Sequence, residues 1–248
     1  MSHQKYSMGG SIPLTPVVKK LLIINVAVWF VFQVILENFF HFPFTTYFSL
    51  IPNRLVFDFW IWQPLTYMFL HGLNVTHILF NMLMLWFMGG ELELKWGSRA
   101  FLKYYLTTGL GGGLIYTLGH LVYAFFTGSS IGMQIPVVGA SGALFGLMLA
   151  WGLLFGERTI YFMMMFPMKA KIFVLILAAI QISSLLTTTI QGTEVAYLAH
   201  LGGLLTGWIY LKLPTYWDRF RPKTKIVKNK SGLRLVVDND PSKKRYWN

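Results

Sequence analysis

Six apolar runs, each bounded by polar or charged residues, divide most of the chain. They occupy residues 21–36, 76–90, 104–126, 141–155, 172–186 and 197–211. A bilayer crossing takes roughly 20 apolar residues, so a chain of 248 residues can supply six such helices with short loops and one tail. The pattern predicts an all-α membrane protein, a bundle of six transmembrane helices with both termini on the same side.

The composition indicates that lipid is the main solvent of the chain. Charged residues make up only 12% of the sequence and hydrophobic residues 55%, with a mean hydropathy of +0.54. Soluble domains are roughly one quarter charged, so an ordinary soluble domain is excluded. The absence of cysteine also excludes a disulfide framework, a thiolate zinc site and a cysteine nucleophile.

Positive charges orient the predicted helices. Twenty of the 21 Lys and Arg residues fall in segments that the six-helix pattern places on one side, and Arg54 is the exception. Because positively charged loops stay in the cytoplasm, both termini are expected there. The predicted organisation is a cytoplasmic segment at 1–18, a membrane domain at 19–213 and a basic cytoplasmic tail at 214–248. The first apolar run lacks the residue order of a cleavable signal peptide, so it is expected to be retained.

The tail carries ten Lys and Arg residues against three Asp residues. Such a composition is typical of a cytoplasmic segment that lies beside anionic lipid headgroups. Tyr216, Trp217 and Trp247 would also allow stacking on nucleic-acid bases. The lipid interpretation is favoured, so membrane lipids are expected as partners and nucleic acid is not.

Polar side chains inside the apolar runs are the candidates for chemistry, because each one costs free energy in hydrocarbon. His77 and Asn81 are four residues apart and therefore share one face of a helix. Ser141 lies where a loop becomes a helix, and His200 lies near the start of the last run. Taken singly, each of these residues could simply join helices or mark close packing.

Glycine spacing predicts that Ser141 and His200 lie close together. Small residues four apart form helix faces that let two backbones approach closely. The faces in question are formed by Gly142 and Gly146 in one helix and by Gly203 and Gly207 in the other. Packing of these faces would bring Ser141 within hydrogen-bond reach of His200. A serine hydroxyl needs such a neighbouring base before it can act as a nucleophile.

The depth of Ser141 follows from the helix rise. Counted from Glu157 at the cytoplasmic edge, Ser141 lies about 24 Å up a helix that rises about 1.5 Å per residue, within a hydrocarbon core of about 30 Å. The serine is therefore expected below the outer surface, at the bottom of a wet cavity. The preceding segment, 134–140, must then be surrounded by protein or water, because lipid cannot satisfy a non-helical backbone.

Three motifs, on three predicted helices, give the sequence a resemblance to a known family. They are Gly139-Ala140-Ser141-Gly142 followed by Ala143-Leu144-Phe145-Gly146, the Ala199-His200 pair followed by Gly203 and Gly207, and the His77 to Asn81 segment leading into Gly89-Gly90-Glu91-Leu92-Glu93. Together they resemble the rhomboid family of intramembrane serine proteases in its six-helix bacterial form. The resemblance covers roughly residues 20–213.

The resemblance implies a role for each matching residue. Ser141 matches the nucleophile and His200 the general base, a dyad that requires no carboxylate. Phe145 stands where an aromatic ring packs on the catalytic imidazole. The residues that match the stabilisers of the oxyanion are His77, Asn81 and the backbone N–H groups of Ser141 and its neighbour Ala140.

The resemblance also implies what the protein acts on and where. The expected function is hydrolysis of peptide bonds in the transmembrane segments of other membrane proteins, near the outer face of a bacterial inner membrane. No metal or organic cofactor is implied. One departure from the family pattern lies in the first outer loop, where Trp62-Gln63 replaces a characteristic Trp-Arg.

Other functions remain alternatives to proteolysis by a dyad. A metalloprotease is disfavoured because the sequence has no H-E-x-x-H motif. A triad would need an acid, for which Glu194 is the outer-loop candidate. A transporter would also carry polar residues in its spans, but such proteins tend to contain repeats, and none is visible here. A catalytically inactive protein that binds membrane clients is the last alternative, and the presence of both Ser141 and His200 argues against it.

Overall fold

The computed structural model describes residues 14–162, 166–187, 196–213, 224–228 and 234–238. Six long helices coincide with the six apolar runs. They are α1 (Pro16–Glu37), α2 (Val75–Trp96), α3 (Ser98–Thr127), α4 (Ser141–Phe155), α5 (Ala170–Thr187) and α6 (Ala196–Lys212). Part of α1, Val28–Glu37, and a shorter part of α2, Leu85–Gly89, are π-helical. The prediction of a mostly helical membrane protein is confirmed.

Helices α1, α2 and α3 are each long and apolar enough to cross a membrane. Helices α4 and α5 are apolar but shorter. The count of six crossings and the cytoplasmic side of the termini stay predictions.

The connection between α1 and α2 is built from short helical segments rich in aromatic residues. They are Phe44–Phe48, Pro52–Phe57, Gln63–Thr66 and the 3-10 turn Tyr67–Phe69. Tyr47, Trp60 and Trp62 stack in a row, with ring centroids 5.6 and 5.5 Å apart. Aromatic side chains of this kind favour the boundary between lipid and water.

Glu93 joins the ends of three helices. Its carboxylate accepts hydrogen bonds from the amides of Val17 and Val18 in the first turn of α1 and from the hydroxyls of Thr15 and Ser98. The first amides of a helix lack partners within it, so Glu93, itself buried, satisfies the start of α1. Ser98 begins α3, and the same carboxylate therefore fixes α1, α2 and α3 at one end of the bundle.

Two short hairpins depart from an all-helical structure. Strands β1 (Thr159–Phe162) and β2 (Phe166–Lys169) pair antiparallel between α4 and α5. Strands β3 (Thr224–Lys228) and β4 (Arg234–Asp238) pair antiparallel in the tail.

The backbone divides into two compact units, Met1–Trp208 and Ile209–Asn248. The predicted boundaries after residues 18 and 213 stay predictions. Most of the N-terminal segment and most of the tail lie outside the described residues, as does Glu194.

Glycines set the distance between α3, α4 and α6. A Cβ atom placed on Gly203 of α6 would lie 1.9 Å from the carbonyl oxygen of Gly142 in α4, and one placed on Gly207 would lie 3.3 Å from the Cα atom of Gly146. A Cβ on Gly112 of α3 would lie 2.7 Å from the carbonyl oxygen of Ala199. The backbones can approach this closely only because the side chains are missing.

Candidate active site

Ser141 and His200 form a hydrogen-bonded pair at the junction of α4 and α6. The Oγ atom of Ser141 lies 2.7 Å from the Nε2 atom of His200. Ser141 is the first residue of α4, and His200 lies just before the glycine contact that joins α6 to α4. The close approach of the two backbones thus brings the two side chains within reach of each other.

Phe145 and Gln181 hold the His200 ring from two sides. The ring of Phe145, one turn along α4 from Ser141, stacks on the imidazole with a centroid distance of 4.3 Å and an interplanar angle of 18°. The Oε1 atom of Gln181 in α5 lies 2.7 Å from Nδ1 of His200. Gln181 was not predicted as a site residue from the sequence. The available signal was that it is the only amide or charged residue in the apolar run 172–186.

His77 faces the same space from α2. Its Nδ1 atom accepts a hydrogen bond from the amide of Gly72 at 3.1 Å, so the proton of the neutral ring lies on Nε2. A Cβ atom on Gly139 would lie 3.2 Å from that Nε2 and 3.4 Å from Oγ of Ser141. The hydrogen-bond donor of His77 and the hydroxyl of Ser141 therefore border one small space, which stays open because residue 139 is glycine.

Asn81 lies one turn below His77 and is buried. Its Nδ2 atom donates to the carbonyl oxygen of His77 at 2.8 Å, a bond within its own helix. Within the described part of the chain, its Oδ1 atom has no hydrogen-bond partner. The structure therefore brings His77 to Ser141 but gives Asn81 no hydrogen bond to the Ser141 side chain.

The backbone at the start of α4 supplies further donors. Ala140 precedes the helix and is fully buried, and it makes no side-chain cap. The first amides of a helix have no acceptor within it, and they carry the partial positive charge of the helix dipole. The N–H groups beginning at Ser141 are thus available to a negatively charged oxygen near the Ser141 hydroxyl.

Protein groups hold the segment 134–140. Val137 and Leu50 exchange two backbone hydrogen bonds of 3.0 and 2.9 Å. The amide of Gly139 donates to the carbonyl oxygen of Tyr67 at 2.9 Å. The Tyr67 hydroxyl in turn donates to the carbonyl oxygen of Gly109 in α3 at 2.6 Å. The outer loop and α3 together therefore fix the turn that leads into Ser141.

Helix α1 fixes the turn at His71 and Gly72, whose Gly72 amide donates a hydrogen bond to His77. The amide of Gln33 brackets His71: Oε1 accepts from the His71 amide at 2.8 Å, and Nε2 donates to the His71 carbonyl at 2.7 Å. Trp29 donates from Nε1 to the carbonyl oxygen of Gly72 at 3.2 Å. Burial, reinforced by the neighbouring His77 ring, lowers the pKa of His71 to about 4. The His71 ring is therefore neutral at physiological pH, and it lies edge-on to His77.

Two other polar residues lie away from the Ser141 and His200 pair. The ring of His120 packs edge-on to Tyr116 at 4.6 Å and against Gly132. Gln63, at the position of the family's arginine, accepts a hydrogen bond from the amide of Ile51 at 3.1 Å. Its buried side chain therefore stabilises the outer loop.

Known proteins with similar sequences carry rhomboid names. RHOMBOID-like protein 2 of Arabidopsis thaliana is 33% identical over 183 residues, which cover 71% of this chain and 51% of that protein. The mitochondrial RHOMBOID-like protein 12 of the same plant is 29% identical over 137 residues, covering 53% of this chain and 40% of that protein. Rhomboid protease GlpG of Serratia proteamaculans (strain 568) is 32% identical over 162 residues, covering 64% of this chain and 48% of that protein.

The chain thus spans about half the length of the relatives it matches, from 40% to 51% of these three. The family model of the rhomboid domain matches residues 58–215, which is more than half of the sequence. The matched range includes His77, Asn81, Ser141 and His200. The protein belongs to the rhomboid family.

Proposed function

We propose that this protein is an intramembrane serine endopeptidase that cleaves transmembrane segments of other membrane proteins. The observation that carries the proposal is the hydrogen bond of 2.7 Å between Oγ of Ser141 and Nε2 of His200. A serine hydroxyl paired with an imidazole is the arrangement that activates a weak nucleophile. The name of the Serratia relative, a rhomboid protease, supports the same reaction class.

In the proposed reaction, Ser141 attacks the carbonyl carbon of the scissile bond while His200 takes the hydroxyl proton. The resulting tetrahedral intermediate carries a negative charge on the former carbonyl oxygen. The C–N bond then breaks, His200 gives its proton to the leaving amine, and an ester joins the substrate to Ser141. Water, deprotonated by His200, hydrolyses this acyl-enzyme and restores the free hydroxyl.

The proposed oxyanion donors are the N–H group of Ser141, with that of Ala140, and the Nε2–H group of His77. A Cβ atom placed on Gly139 would lie close to both His77 and Ser141, so these two groups border the same small space, which supports this assignment. Asn81 could join the set after releasing its bond to the His77 carbonyl. Each such donor typically contributes a factor of 10² to 10³ to kcat.

The proposal includes a membrane arrangement. All six long helices cross the bilayer, both termini are cytoplasmic, and Ser141 lies near the outer face of a cell membrane, as in a bacterial inner membrane. A helical substrate must unwind before its carbonyl groups become accessible, and unwinding in lipid leaves polar groups unsatisfied. The preferred substrates therefore carry small or helix-weakening residues near the outer end of a span, and the basic tail contacts anionic lipids.

Incubation with single-span substrates tests the proposal. The purified wild-type protein is expected to cut at least one member of a substrate set inside or beside its span, with the site read by mass spectrometry. Ser141→Ala and His200→Ala should each abolish the cut while eluting as folded protein in detergent, because each removes half of the reacting pair. Cleavage by Ser141→Ala at the wild-type rate would refute the assignment.

A further inference from the structure

Gln181 lies on the one side of α5 that faces the rest of the protein. Along α5 the buried positions are Ala170, Val174 and Gln181, at spacings of four and seven residues, which keep them on one helix face. The exposed positions include five large aliphatic residues: Ile172, Leu175, Ile176, Ile180 and Ile182. The helix register therefore directs the Gln181 amide inward, where an unpaired polar group would cost free energy.

The partner of the Gln181 amide is His200. The Oε1 atom of Gln181 lies 2.7 Å from Nδ1 of His200, and the Nε2 atom of the same ring lies 2.7 Å from Oγ of Ser141. An amide oxygen can only accept, so Nδ1 carries the imidazole proton. Nε2 then presents a lone pair to the Ser141 hydroxyl, which is the tautomer that a general base requires.

We propose that Gln181 is a positioning residue that completes a Ser141–His200–Gln181 triad. This inference rests on the proposed protease function. Gln181 fixes the His200 tautomer and ring orientation through Nδ1, and it takes no proton itself. The third member of a serine protease triad acts in the same way, by holding the imidazole rather than by titrating.

The chemistry of the site explains an amide in this position. A carboxylate within a membrane-spanning helix would bury a charge, which is costly without a compensating partner. An amide oxygen provides the same acceptor atom without that charge. Cys-His-Asn proteases use an amide in the equivalent position in water-soluble folds. Glu194, the acid candidate suggested by the sequence, is therefore not needed to orient His200.

Two substitutions separate positioning from simple packing. Gln181→Leu preserves most of the volume and removes the acceptor, so a fraction of His200 adopts the other tautomer, with its proton on Nε2. We expect kcat to fall roughly 10- to 1,000-fold. This loss is smaller than the loss of about 10⁴-fold seen when a triad aspartate is replaced by an amide. KM should change less than threefold, because Gln181 contacts His200 rather than the substrate.

Gln181→Glu retains the acceptor and adds a negative charge beside the ring. The charge favours imidazolium, and the base is active only when neutral. The acid limb of the pH–rate profile should therefore move to higher pH by one unit or more, while kcat on the alkaline plateau stays within about tenfold of the wild type. A side chain at position 181 that does not reach Nδ1 of His200 would give no such shift.

The experiment measures kcat, KM and the pH–rate profile of wild type, both Gln181 variants and the control Ile182→Leu, which changes the adjacent lipid-facing position. In parallel, ¹⁵N NMR of the His200 ring in wild type and Gln181→Leu reports the tautomer without requiring turnover. We expect a protonated Nδ1 in the wild type, a mixed tautomer in Gln181→Leu and wild-type behaviour in the control.

The outcomes separate this inference from the protease proposal. If the wild type cleaves and Gln181→Leu matches it in kcat and in tautomer, the triad is refuted and the dyad stands. If no cleavage occurs in the wild type, the protease function fails, and a wild-type ring protonated on Nε2 would then refute the Gln181 contact as well. If Gln181→Leu does not fold, an unshifted profile in Gln181→Glu overturns the inference.

Discussion

Gly139→Ala tests whether the space beside Ser141 holds the reacting oxygen. Gly139 has φ = +125°, a region that costs a residue with a side chain roughly 1 to 3 kcal/mol. The new methyl would also lie 3.2 Å from Nε2 of His77 and 3.4 Å from Oγ of Ser141. It would therefore occupy the space that the proposed oxyanion needs. We expect kcat to fall at least as much as on losing one oxyanion donor, about 10²- to 10³-fold.

Gly128→Ala is the matched control for this prediction. Gly128 also has a positive φ, +71°, but a Cβ atom there would have no atom within 4 Å. Both variants should lose thermal stability in detergent, by about 2 to 4 °C for each kcal/mol of strain. Only Gly139→Ala should lose activity, measured as kcat on a single-span substrate. Equal kcat in both variants, within threefold of wild type, would refute the position assigned to the oxyanion.

Two further predictions concern the oxyanion side chains and the topology. Asn81→Ala and His77→Ala should each lower kcat about 10- to 1,000-fold with little change in substrate binding, while a fluorophosphonate still labels Ser141 slowly. Normal kcat combined with unfolding many degrees earlier would instead make both residues helix-joining groups. Reporters fused after Asn248 and inserted near Gln134 should report opposite sides of the membrane, and a report from the same side would contradict the six-span arrangement.

The positions of the helices could be predicted from the sequence because lipid imposes one simple requirement. A span in hydrocarbon must be long, apolar and helical, so the six apolar runs placed α1 to α6 with ends that differ by at most six residues. The hairpin β1–β2 could not be predicted in the same way. Its strands are only four residues long, and the apolar residues around Tyr161 and Phe166 are also compatible with the end of a helix.

The pairing of Ser141 with His200 could be expected because glycine spacing is a local pattern with a direct geometric result. Gln181 and Gln33 carry no such pattern. Each acts through a contact to a residue far along the chain, His200 or His71, and the partner follows only from how the helices pack. A buried amide in an apolar run signals that a partner exists, but it does not say which residue the partner is.

The hydrogen bond that Asn81 makes in this structure also could not be predicted from the sequence. A shared helix face with His77 is compatible with a donor aimed at the site and equally with a bond inside the helix. The structure shows the second, from Nδ2 of Asn81 to the His77 carbonyl. The choice depends on a side-chain rotamer, which the spacing of residues does not determine.

The residue that reacts with a fluorophosphonate identifies the nucleophile of this protein. The purified protein in detergent is treated with the probe, digested, and the modified peptide is sequenced by mass spectrometry. We expect a single adduct on Ser141, formed at a rate that falls at least 100-fold in His200→Ala, because the hydroxyl then has no base. An adduct on another serine, or an unchanged labelling rate in His200→Ala, would contradict this expectation.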